Sequence, residues 1–186
     1  MSSDQPRDLN TADTGGLDIP LRYFYAAPDN WEKYLAACQH LMWLKSTFLS
    51  QTYNSFMAVH WKYYADCAEL DAAARGLSVE AFFNACINWD AELPSYTGDR
   101  PTFKPSPLAT IPDVETTPDN RRRVKVIRTS QVNGALLRVA CVVDRCTLIT
   151  IMSRLLRWHF DQYWEKSYAP QIRAAQAKSF RRLFEK

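Results

Sequence analysis

Five of the ten prolines, Pro101, Pro105, Pro107, Pro112 and Pro118, fall between Asp99 and Asn120. Each removes an amide donor and pushes the preceding residue toward extended backbone, so neither a helix nor a central strand runs through this stretch. Regular structure must form in two blocks, on either side of an extended connection at about residues 99–120. Such a connection is longer than an ordinary structureless loop, which makes it a wrapping segment or a functional loop. At 186 residues both blocks fit one domain. Met1 to Gly16 is made mostly of Ser, Asp, Thr, Asn, Gln and Gly, with too little apolar surface to offset the entropy of ordering it. The expected organisation is a flexible tail over residues 1–20 and a single globular domain over 21–186.

The first block has helical periodicity. In "DNWEKYLAACQHLMWLKSTFLS", Asp29 and Glu32 stand at cap spacing, and Trp31, Tyr34, Leu35, Cys38, Leu41, Met42 and Leu49 recur at three and four residues. The polar run Ser50 to Ser55 predicts a bend or a junction before Phe56, Val59, His60, Tyr63 and Cys67 resume the period. Gly76 and Ser78 are a stop and a start, and "SVEAFFNACINW" predicts a short helix that buries Phe82, Phe83, Cys86 and Ile87.

In the second block Asn133-Gly134 is the strongest local signal, because a two-residue hairpin turn needs positive φ at both central positions. It predicts a hairpin pairing Val132 with Ala135, Arg128 with Val139, Val126 with Cys141 and Arg123 with Asp144. The stretch "TLITIMSRLLRWHFDQYWEKSYA" begins like a strand but places its later apolar and polar positions at helical spacing, so a helix is favoured. After Pro170, "QIRAAQAKSFRRLFEK" reads as a basic amphipathic helix. The fold class is therefore α+β: N-terminal helices packed on a small antiparallel β-hairpin or sheet, with C-terminal amphipathic helices.

Charge divides the chain as sharply as proline does. Residues 1–120 hold 8 Lys and Arg against 16 Asp and Glu, whereas residues 121–186 hold 15 against 4. A basic third of this kind suits a polyanion, an acidic protein, or pairing with the acidic half. The expected binding residues are Arg121, Arg122, Arg123, Lys125, Arg128 and Arg138 around the hairpin, with Arg173, Lys178, Arg181 and Arg182 on the last helix.

Catalytic patterns are scarce. The five glycines form no phosphate-cradling loop, His40, His60 and His159 are widely separated, and no Cys-x-x-Cys pair exists, so neither a P-loop nor a metal site is expected. No cofactor and no catalytic residue is assigned. His159 with Asp161 or Glu165 is the strongest acid/base candidate, but a histidine on an apolar helical stripe is more simply a hydrogen-bonded core residue. Trp43 and Trp61 fall off the main apolar stripes and suit a second contact surface. Five cysteines, odd in number and dispersed, suit reduced core residues, and no apolar run reaches the length of a membrane span. With no secretory leader pattern either, the expected location is cytoplasmic.

These features favour a non-enzymatic interaction module, adaptor or inhibitor-like, that binds an acidic protein partner through the basic third. The alternatives are a nucleic-acid-binding protein using the same surface, and a small-molecule enzyme or carrier with an aromatic-lined pocket.

Overall fold

A computed structural model describes residues 16–184 apart from Lys125, without the side chains of residues 182–184. The fold is α+β, with small antiparallel strand pairs set against helices. Strands β1 (Gly16–Ile19) and β2 (Tyr23–Tyr25) precede helices α1 (Pro28–Leu41), α2 (Lys45–Ala74) and α3 (Val79–Ile87). After the proline-rich connection come β3 (Arg121–Arg123), β4 (Ile127–Ser130), α4 (Gln131–Val143), α5 (Leu148–Tyr163) and α6 (Ala169–Phe184). Of the expected tail, residues 1–15 lie outside the described residues, while Gly16–Ile19 is strand rather than tail.

The hairpin prediction is overturned. Asn133 and Gly134 lie in the first turn of α4, and β3 and β4 pair with the N-terminal strands instead of with residues 135–144. Two causes, one local and one distant in sequence, explain the difference. Ser130 is an N-cap whose Oγ accepts a hydrogen bond from the Asn133 amide at 3.1 Å, starting a helix where the turn was expected. Gly134 permits close approach: a Cβ there would stand 2.4 Å from Cδ2 of Leu17 on β1, which would have to shift.

Both strand pairs are antiparallel and share one register. Ile19 faces Ile127, and four residues on, Tyr23 faces Arg123. They are two halves of one ribbon, interrupted beside Pro20, which has no amide to donate; the Val124 amide still donates to the Arg22 carbonyl at 3.2 Å across the gap.

Helix α2 is the central beam, packing on α3, α4, α5 and β4. It runs without a break through Ser50 to Ser55, because Ser50 and Thr52 donate their hydroxyls back to the carbonyls of Ser46 and Phe48. The junction falls earlier, at Met42 to Leu44, where Met42 adopts φ 55° and caps α1. Helix α1 starts on Pro28 with no side-chain cap, so the Asp29 cap does not form. Gly76, at φ 68°, and Ser78, whose Oγ accepts from the Ala81 amide, act as expected around α3. Thr147 caps α5, which is helical from Leu148. Phe48, Tyr53 and Phe56 of α2 meet Leu137 and Ala140 of α4 and Leu155 and Phe160 of α5 in one buried core. Each fully buried aromatic contributes on the order of 2 kcal/mol.

Between α5 and α6 the backbone widens into a π-turn over Trp164–Tyr168. Beyond it, α6 is exposed from Arg173 through Arg181. Its first turn lies beside α1, with His40 Nε2 3.4 Å from Gln171 Oε1. Among the described residues no helix is long and apolar enough to cross a membrane, and no group of three His, Cys, Asp or Glu could hold a metal ion.

Candidate interaction surface

The cations expected on a common hairpin face are distributed over separate places. Arg121 lies over the Tyr23 ring, 3.9 Å from its centroid, and Arg122 lies 5.0 Å from that of Trp31 with its Nε buried and without a hydrogen-bond partner. Arg128 forms a two-pronged ion pair with Asp18 at 2.7 and 3.0 Å across the β1–β4 ribbon. That contact holds the Asp18 carboxyl below its ordinary range. Arg138 points the other way, donating to the carbonyls of Ala85, Asn88 and Ala91 at and beyond the end of α3, the helix terminus where positive charge is favoured. Arg173 pairs with Glu165 at 2.9 Å. Lys178 and Arg181 are exposed on α6, and Lys125 and the Arg182 side chain lie outside the described residues. Pairing with the acidic half thus accounts for Arg128, and helix capping for Arg138.

What β3 does bring together is a mixed surface at the α1–α2 corner. Arg123 and Val124 form one wall of an open groove of about 710 Å³ whose other side is Leu35, Met42, Trp43, Leu44 and Lys45. The turn at Met42 throws three large apolar side chains outward: Met42 is 92%, Leu44 75% and Trp43 41% exposed. Contiguous apolar exposure of this kind is uncommon on a protein surface and marks contact sites. Lys45 and Arg123 supply positive charge at its edge. Lys45 Nζ lies 5.2 Å from the Trp31 centroid, so Trp31 carries a cation from Arg122 and another from Lys45. Among the described residues Arg123 makes no ion pair. Cys38 also lines the groove, with its thiol pushed up to about 11 by burial, against the pull of Lys45 and Tyr34, so it remains protonated.

Trp43 was legible as a surface residue because it leaves the helical stripe. Met42 and Leu44 were not, since a left-handed methionine at a helix end has no sequence signature. Trp61, the other expected surface tryptophan, is 42% exposed on α2, apart from the groove.

The acid/base candidate is a core residue. His159 is buried among Phe48, Trp158, Phe160, Tyr163 and Tyr168. Its Nε2 lies 2.8 Å from the Tyr168 hydroxyl, its Nδ1 is buried without a partner, and desolvation lowers its pKa to about 4. Asp161 is exposed, and neither residue lines the groove.

Compared with protein-family models, curated proteins and solved structures, the chain finds no match. The site itself therefore defines the class: an α+β protein that presents an apolar groove with a cationic edge.

Proposed function

We propose that the chain is a non-enzymatic interaction module that seats an acidic, apolar segment of a protein partner in the α1–α2 groove. The observation that carries this reading is the exposure of Met42, Trp43 and Leu44 beside Arg123 and Lys45. Apolar anchors supply affinity in such contacts, while the flanking cations select an acidic sequence and steer its approach. An open groove suits a macromolecule better than a small ligand, which needs most of its surface covered. Five free cysteines suit a reducing, cytoplasmic setting. Nucleic acid is less well served: Arg128 and Arg173 are paired with carboxylates and Arg138 with carbonyls, so they do not form a phosphate-tracking stripe.

The test is capture of partners by the tagged chain, with and without nuclease, compared across wild type, Leu44→Asp and Arg123→Glu. A nuclease-resistant protein held at near-equal stoichiometry by wild type and lost with both variants is the expected result. Equal capture by the variants overturns the groove assignment, and loss on nuclease treatment transfers the function to nucleic acid.

A further inference from the structure

The proline-rich connection closes a second cleft, of about 380 Å³, against the corner between α4 and α5. The connection is anchored on both sides. The Tyr63 hydroxyl donates to the Lys104 carbonyl at 2.6 Å, Arg100 donates to the Val142 carbonyl, and Arg154 pairs with Asp113 at 2.8 Å. Ser106, itself buried, accepts the Leu108 amide on its Oγ and the Ala109 amide on its carbonyl, fixing a tight turn on the cleft wall. The cleft is therefore preformed.

Its charge pattern is mixed. Lys104 and Arg145 stand on the rim, and among the described residues neither makes an ion pair. Arg145 has φ 51° at the end of α4, where the amides of Arg145 and Cys146 return to the carbonyls of Val142 and Cys141. Glycine is the usual occupant of that left-handed position; an arginine there keeps a guanidinium at the cleft at a cost of about 1 kcal/mol. Next to it Asp144 lines the cleft with its Oδ2 buried; burial raises its carboxyl above the ordinary carboxylate range, against the pull of the Ser106 hydroxyl and of Arg154. The end of α4 lines the same cleft through Val143, and there the Arg100 guanidinium, a third cation on the cleft wall, caps the Val142 carbonyl. Behind it lies the buried Tyr64 hydroxyl, beside the Ser106 hydroxyl. Pro101, Phe103 and Ala109 supply an apolar wall.

We propose that this cleft binds a free α-amino acid, with the carboxylate held by Lys104 and Arg145, the ammonium by Asp144, and the side chain against Phe103. A simple anion would leave Asp144 facing like charge, and a simple cation would meet Lys104 and Arg145; a small zwitterion satisfies both. The site uses no residue of the α1–α2 groove, so it stands independently of the partner-binding reading.

The test is isothermal titration of the full chain with each proteinogenic L-amino acid at millimolar concentration, followed by the amine and the carboxylic acid corresponding to the best binder. Saturable binding by at least one amino acid is expected, weakened about tenfold or more in Asp144→Asn and in Lys104→Met, and similarly for each analogue lacking one charge. Lys104 is exposed, so its variant keeps the proposal testable if Asp144→Asn fails to fold. Absence of binding by every amino acid overturns the proposal. So does an analogue that binds as well as its parent, or a folded variant pair that retains full affinity, which would leave Asp144 as a site for structural water.

Discussion

The Leu17 side chain occupies the space that a Cβ on Gly134 would need, with Cδ2 2.4 Å from that position. Strand β1 and helix α4 are thereby locked together at a point where the helix offers no side chain. Two opposing effects meet there: alanine is favoured over glycine inside a helix by about 1 kcal/mol, while the added methyl must displace Leu17. In the Leu17→Ala background, Gly134→Ala is expected to stabilise by about 1 kcal/mol, whereas in wild type the gain is cancelled or reversed. Urea unfolding of the four proteins measures the coupling, and additivity within experimental error would exclude it.

Arg75 and Asp71 form the most buried ion pair among the described residues, at 2.8 Å. Asp71 also accepts from the Tyr96 hydroxyl at 2.6 Å, while Arg75 donates to the Pro94 carbonyl and lies 3.9 Å from the Tyr96 centroid. Together they hold the chain leaving α3 against the end of α2. Asp71→Ala leaves a buried guanidinium without its carboxylate and is expected to cost about 3 to 5 kcal/mol. A loss below about 1 kcal/mol in denaturant unfolding would show that water reaches the site.

His159 predicts a pH dependence. Its folded pKa, about 4, lies below the ordinary 6.5, so the unfolded chain takes up a proton that the folded chain refuses between those values. Stability due to this group is complete above pH 6.5 and falls as the pH drops through the folded pKa of about 4, a loss of about 3 kcal/mol. His159→Phe should flatten that part of the stability profile relative to wild type. Parallel profiles would place the titration elsewhere.

Arg138, expected from sequence to bind a partner, holds carbonyls at the end of α3. Arg138→Ala is expected to lower stability by about 1.5 to 3 kcal/mol, the range for hydrogen bonds to a charged group, while leaving capture of a protein partner unchanged. Lost capture at full stability would return Arg138 to the binding surface.

The thiols should be slow to react. Burial pushes Cys86 up to about 12 and Cys146 up to about 11, and Cys38, also raised, lies at about 11. A disulfide-exchange reagent at pH 8 should therefore label the native chain slowly and the denatured chain rapidly at all five cysteines. Fast stoichiometric labelling of the native protein would contradict this burial.

Helical periodicity made α3, the later part of α5 and the start of α6 legible, because their apolar positions and caps lie within a few residues of each other. The role of Gly134 was not legible, since the same Asn-Gly pair serves a turn or a tight helix contact, and Leu17, more than a hundred residues away, decides between them. The pairing of β1 with β4 and β2 with β3 was hidden for the same reason: short strands carry little pattern of their own. At the groove, Trp43 signalled exposure through its phase, but Met42 and Leu44 became surface residues through one left-handed backbone angle.

The ribbon has a consequence for the order of events during synthesis. Its first half is made before α1, yet its partners, Arg121–Arg123 and Ile127–Ser130, follow only after α2, α3 and the proline-rich connection. Closing so long a loop is a slow, nonlocal step. On the ribosome, Gly16–Ile19 and Tyr23–Tyr25 stay without their strand partners until residues 121–130 have emerged, so the ribbon closes only after the three helices between its halves have been made.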